Sequence, residues 1–252
     1  MKILPYSSNP FGGVILSSND IPLSSDDFLD TIKFSIQEWE KENFKVVWLE
    51  LDLNRSALVP IAVNLGFKYH HCTSEYLMLT YSIVKDSFIP PYASHYIGAG
   101  GVVINQKDEL LVVVENRGNV PSSQPSYKLP GGTIKEGEHI SEGVVREVLE
   151  ETGIDTEFES IICFRNLHGY RFDKSDIYFV CLLTPKNSEI VIQTEEIEES
   201  IWMPIKQYLA DDRVSLFNKR IVEDSVKSKG LSIEIIDGYR TPEQQEAFMP
   251  VF

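Results

Sequence analysis

The spacing of apolar residues changes several times along the chain, and each change marks an element. Phe28, Ile32, Ile36 and Trp39 recur at helical spacing, and Asp26 and Asp27 suit the helix start. Val46–Leu51 is a run of β-branched and apolar residues that predicts a strand. Leu58, Ile61, Ala62 and Leu65 share one face of a predicted helix over Ser56–Leu65, which Gly66 stops. Phe67–His70 and Tyr76–Ser82 predict two further strands. After Pro90–Pro91, an extended connector, the pattern predicts a hairpin of Tyr96–Ile104 and Leu110–Val114 through Asn105–Glu109. The polar stretch Arg117–Ser126 predicts a flexible loop, and Tyr127–Pro130 a short apolar step. A helix over Ser141–Thr152 closes at Gly153. Strands over Phe158–Arg165, Ile177–Leu183 and Ile201–Met203 follow, then helices over Ile205–Leu209 and Leu216–Val226. Three segments result: 1–90, 91–212, and a helix and tail over 213–252.

Composition narrows the partners. The chain has 252 residues, of which 42% are hydrophobic and 24% charged, a globular balance. The formal net charge of −15 disfavours a broad grip on nucleic acid or an anionic membrane. No apolar run is long enough to span a bilayer. The N-terminus lacks a long apolar core of the secretory type, so a cytoplasmic location is expected. Cys72, Cys163 and Cys181 form no close pair and read as reduced core thiols.

The charge is uneven. Residues 131–200 hold 16 acids and 6 bases, so −10 of the −15 sits there. Within this stretch Glu147, Glu150 and Glu151 stand at i, i+3 and i+4, which sets three carboxylates on one helical face. They repel one another and lie near the helix C-terminal end, where the dipole disfavours anions. A hard cation would offset that cost; oxygen ligands select Mg²⁺, or Mn²⁺. Arg146 precedes the cluster and can pair with Glu138 in the preceding loop. Val144, Val145, Val148 and Leu149 supply an apolar side for packing.

The full spacing runs Gly132, Glu138, Arg146, Glu147, Val148, Glu150, Glu151, Gly153, Ile154. It resembles the Nudix box at every defined position. The resemblance implies an α+β fold: an α/β/α sandwich with a mixed sheet, the box forming loop, helix and loop. It also implies metal-dependent hydrolysis of a nucleoside diphosphate linked to another group. Glu147, Glu150 and Glu151 would then bind metal, Arg146 would orient its neighbour, and Glu138 would support the loop or the metal shell, all five as catalytic residues. A further glutamate before a late strand is frequent in the family. Glu195, Glu196, Glu198 and Glu199 are candidates, and Glu196, six residues before Trp202, fits the spacing as a catalytic and metal-binding residue.

Outside the box, the stretches around Val46–Leu79, Pro90–Val103 and Glu195–Met203 resemble Nudix hydrolases with an N-terminal pre-Nudix domain. The plant ADP-ribose and NADH pyrophosphohydrolases have this layout, as does an animal relative transcribed antisense to a growth-factor gene. The resemblance implies ADP-ribose or NADH as substrate, release of AMP, and a homodimer. Candidate substrate residues are Tyr127, where relatives carry Trp, and His168, Tyr170, Arg171 and Phe172, which offer stacking and phosphate contacts. The first segment resembles a reduced acetyltransferase fold. Its RSALVPIA stretch lacks the glycines of a coenzyme A cradle, so packing or dimerisation is its expected role. The His70–His71–Cys72 run reads as strand-end structure. Two alternatives remain open: a nucleotide-sensing or partner-binding module without turnover, and a hydrolase of dinucleoside polyphosphates, coenzyme A or capped RNA.

Overall fold

The computed structural model describes residues 1–116 and 126–251. It divides into two compact units, 1–93 and 94–252.

The first unit is a five-stranded sheet with order β1-β2-β3-β5-β4. The strands are β1 (Ser7–Ser8), β2 (Gly13–Leu16), β3 (Val46–Asp52), β4 (Lys68–Cys72) and β5 (Tyr76–Ser82). β2 and β3 run parallel and the other neighbours antiparallel. Helix α1 (Ser25–Lys41) is capped by Ser24, whose side chain accepts from the Asp27 N–H. Its Phe28, Ile32 and Trp39 pack with Val47, Leu49 and Leu51, the alternate residues of β3. The predicted helix over 56–65 is shorter in the structure. Residues Leu53–Leu58 form 3₁₀ turns, and α2 spans Val59–Asn64 with Pro60 in its first turn. Proline has no N–H to give an earlier turn, so the α-helix begins beside it. Cys72 is exposed, against the expectation of a core thiol, whereas Cys181 is buried.

The second unit carries β6 (His95–Val103), β7 (Glu109–Glu115), β8 (Gly131–Thr133), β9 (Thr156–Leu167), β10 (Ser175–Pro185), β11 (Ile197–Pro204), β12 (Leu231–Ile233) and β13 (Phe248–Pro250). Its helices are α3 (Ile140–Thr152), α4 (Ile205–Ala210) and α5 (Leu216–Ser225). A six-stranded mixed sheet has the order β13-β12-β9-β10-β6-β8, and β7 pairs with β11 in a separate ribbon. β10 and β6 are its parallel neighbours.

The predicted β6–β7 hairpin is corrected here. Its turn closes, with the Asn105 N–H donating to the Glu109 carbonyl at 3.0 Å. The strands then diverge: one bridge joins Ile104 and Leu110, and β7 runs along β11 instead.

Alternation explains the layers. Val102, Leu110, Val112 and Val180 pack with Tyr208 and Val214, and with Ile221 and Val222 of α5. Their neighbours Val103, Leu111 and Cys181 pack with Val144 and Val148 of α3. The β-structure therefore lies between α3 on one face and α4–α5 on the other, an α/β/α sandwich. Residues after 212 belong to this unit: α5 covers one face, and β12 and β13 extend the sheet beyond β9. Among the described residues no helix is long and apolar enough to cross a membrane.

Candidate functional site

Helix α3 presents one packed side and one charged side. Val144 and Val148 are fully buried against the sheet. Its last turn ends at Gly153, whose φ of +71° lets the chain leave in the left-handed region.

Arg146 is the hub of the charged side. Its Nε and Nη2 donate to the two oxygens of Glu138 at 2.6 and 2.9 Å. Its Nη1 donates to Glu147 at 2.8 Å and to Glu150 at 3.0 Å, and Nη2 also reaches the Thr133 carbonyl at 3.2 Å. The Glu138 carboxyl is held down at about 2, chiefly by the Arg146 hydrogen bonds and helped by the Lys135 N–H. Arg146 is correspondingly held charged, first by Glu138. One guanidinium thus fastens the loop of the box to its helix.

Gly132 is required by this arrangement. A Cβ there would stand 2.6 Å from a Glu147 oxygen, so the glycine leaves room for that carboxylate against the β8 backbone.

Glu151 differs from the other two glutamates of the helix. It is 5% exposed and accepts from the Gly131 N–H at 2.9 Å. Burial raises its carboxyl to about 7, with Glu147 and Glu115 adding to the rise. Lys128 and the Gly131 N–H oppose it. Glu150, with a side chain 47% exposed, faces outward.

Glu151 opens into a cavity of about 250 Å³ with Glu115, Asn116, Glu195 and Glu196. The β7–β11 ribbon brings these together. The Asn116 N–H donates to the Glu196 carbonyl at 2.7 Å, which holds the turn before β11 against the end of β7. Lys128 pairs with Glu115 at the cavity.

The candidate substrate residues fall elsewhere. His168 bonds to the Ser175 hydroxyl at 2.8 Å, the Tyr170 ring meets Tyr96 edge-on, and Arg171 lies over Tyr170. Phe172 is 88% exposed, with φ of +52°. This loop joins β9 to β10. Tyr127 donates to Glu199 at 2.8 Å while the Arg213 guanidinium stacks 5.4 Å above its ring. Burial, and then Glu199, push its phenol up. Most of the loop predicted over 117–126 lies outside the described residues; the Ser126 hydroxyl donates to the Arg213 carbonyl at 2.6 Å.

Three participants were not singled out by sequence. Glu115 is the first charge after the apolar run of β7, a signal that reads as an ordinary strand end. Lys128 sits inside a short apolar step. Glu246, far along the chain, accepts from the Ile140 N–H at the start of α3 at 2.7 Å.

The donor set suits a hard cation: four glutamates and an asparagine line the cavity, and burial, with the nearby Glu147 and Glu115 adding to it, opposes the charge of Glu151. Among the described residues no three acidic or histidine side chains are drawn together as a formed metal cage.

Known proteins share this layout in sequence. Residues 4–83 match the profile of a Nudix hydrolase domain, and residues 94–224 match that of a NUDIX domain. Nudix hydrolase 2 of Arabidopsis thaliana is 42% identical over 208 residues, 82% of this chain and 74% of its own. Nudix hydrolase 8 of the same plant is 41% identical over 227 residues. That alignment takes in 88% of this chain but 61% of the relative, so the chain spans less than two thirds of it. Human nucleoside diphosphate-linked moiety X motif 6 is 32% identical over 220 residues, 84% of this chain and 68% of its own. The second match spans more than half of the chain, with the carboxylate helix and its arginine hub inside it, and the chain belongs to the Nudix hydrolase family.

Proposed function

We propose that this protein hydrolyses the pyrophosphate bond of a nucleoside diphosphate derivative, with ADP-ribose and NADH as the first candidates, releasing AMP. The observation that carries the reading is the acidic cavity that Glu151 shares with Glu115, Glu195 and Glu196, one helical turn from Glu147. Glu147, Glu150, Glu151 and Glu196 would hold Mg²⁺ or Mn²⁺. When bound, such an ion neutralises non-bridging phosphate oxygens and lowers the pKa of a bound water.

The chain's own residues supply the rest. Arg146 ties Glu147 and Glu150 to one guanidinium and locks the loop through Glu138. The Gly131 N–H fixes one oxygen of Glu151, leaving the other for proton or metal. The turn at Glu196 is held against the end of β7, and Glu196 lines the cavity with Glu151. Tyr127 and the 168–172 loop are proposed to reach the nucleotide, and a homodimer acting in the cytoplasm is the proposed working form.

The test is a product screen with ADP-ribose, NADH, NAD, FAD, coenzyme A and diadenosine tetraphosphate, each with Mg²⁺ or Mn²⁺. AMP from ADP-ribose or NADH supports the reading. No hydrolysis of any compound overturns it, and tight binding without turnover identifies a sensing module.

A further inference from the structure

Helix α3 lacks a local cap. Its N-cap residue is His139, whose side chain makes no capping hydrogen bond. The first helical N–H groups, those of Ile140 and Ser141, would otherwise be left unsatisfied. Glu246 supplies the acceptor from the far end of the chain. Its Oε2 accepts from the Ile140 N–H at 2.7 Å, and its Oε1 from the Ser141 N–H at 3.4 Å and from the Ser141 hydroxyl. The Glu246 side chain is 8% exposed. His139 seals the junction: its Nε2 bonds to the Pro242 carbonyl at 2.8 Å.

The placement of Glu246 follows from the sheet. β12 joins the edge of β9 and β13 pairs back onto β12, and the ladder continues with the Glu234 N–H donating to the Ala247 carbonyl at 2.8 Å. Two-residue alternation puts Glu246 and Phe248 on one face. Phe248 packs in the core under α3, its ring 5.9 Å from that of Phe158. The same face therefore aims the Glu246 carboxylate at the start of α3. There the helix dipole and two N–H groups favour an anion. These strands lie beyond residue 224, where the family match ends.

We propose that Glu246 is a positioning residue for the reaction: by capping α3 from the C-terminal hairpin, it fixes where the box loop turns into the carboxylate helix. Glu138 immediately precedes the N-cap, and its pairing with Arg146 depends on that turn. A frayed first turn would shift Glu138 and, through Arg146, Glu147 and Glu150. This role rests on the hydrolase reading above.

The experiment compares full-length wild type with Glu246→Ala, Glu246→Gln and, as a control on the same hairpin, Glu234→Gln. All are assayed well below their melting temperatures. Amide exchange at Ile140 and Ser141 and Mn²⁺ affinity are read alongside turnover. The expected result is a fall in kcat of about tenfold for Glu246→Ala, the scale of a small misplacement of catalytic groups. KM stays within about a factor of two, since substrate contacts are untouched. Exchange at the two amides quickens in Glu246→Ala, and Glu246→Gln, which keeps an acceptor oxygen, restores most of the rate. Wild-type kcat in Glu246→Ala, or a Gln variant no better than Ala, overturns the proposal. If the wild type turns over none of the compounds, the hydrolase reading fails by itself. Mn²⁺ affinity then decides: a loss in Ala that Gln restores supports positioning, and equal affinity in all four proteins overturns it.

Discussion

Arg146 grips Glu138 with two parallel hydrogen bonds, at 2.6 and 2.9 Å, across the junction between the box loop and its helix. The remaining guanidinium nitrogen, Nη1, serves Glu147 and Glu150. A planar fork does this and an ammonium cannot.

Arg146→Lys should therefore lose most of the activity despite keeping the charge, and Arg146→Ala somewhat more. Because Glu138 is left partly buried without its partner, Arg146→Ala should also cost about 2 kcal/mol of stability. Urea denaturation and kcat measured on both variants check this. A lysine variant with wild-type kcat would sink the role given to the fork.

Glu138 makes the same pair sensitive to acid. Its folded value of about 2 lies below the ordinary 4.5, so the folded state favours the ionised form. The stability it contributes is complete above about 4.5 and is lost as pH falls toward 2. Glu138→Gln should be less stable than wild type at pH 7, and the two curves should converge between those values. Parallel curves down to pH 2 would be the contrary result.

Gly132→Ala tests the close approach of Glu147. The added methyl meets a carboxylate oxygen at 2.6 Å, so Glu147 must move. Overpacking of this kind costs about 1–3 kcal/mol. Displacement of a reacting group costs up to about 10²-fold in rate. The expected signature is a kcat loss that persists at temperatures where circular dichroism shows the variant fully folded.

Glu151→Gln keeps the shape of a buried side chain and removes a charge that folding opposes. Hydrolysis should drop by about 10³-fold or more, as expected when an electrostatic group at the reacting centre is lost. Stability of the metal-free protein should be unchanged or higher, because burial first, and then Glu147 and Glu115, oppose the charge that the variant lacks. Calorimetry with and without Mg²⁺ separates the two effects: the ion should stabilise wild type and have little effect on the variant.

Much of this site is written locally. The carboxylates of α3, the arginine before them and the glycine after them lie within one helix and its flanks, and spacing alone sets the three carboxylates on one side of that helix. Glu196 was legible only through its distance from Trp202, and Glu115 not at all. Both depend on β7 leaving β6 after one bridge to pair with β11, a choice made by packing across the sandwich rather than by any turn residue. Alternation in Val102–Val103 and Leu110–Leu111–Val112 reads equally well as one hairpin or as two sheets. Glu246 was hidden for a similar reason. A cap from a distant strand leaves no S/T/D/N signature before the helix, and His139 in that position gives no hint of what replaces it.

The divergence of β6 from β7 also bears on how the protein forms. Glu115, Glu151 and Glu196 come from segments far apart in the chain, held by a ribbon and a helix that meet only once the core between them has closed. Contacts of such long sequence separation are late to form. The arginine hub, by contrast, joins groups within a few helical turns. Refolding should recover the helix and its ion pairs first and the acidic cavity afterwards, so cation binding would report the final step of assembly rather than the first.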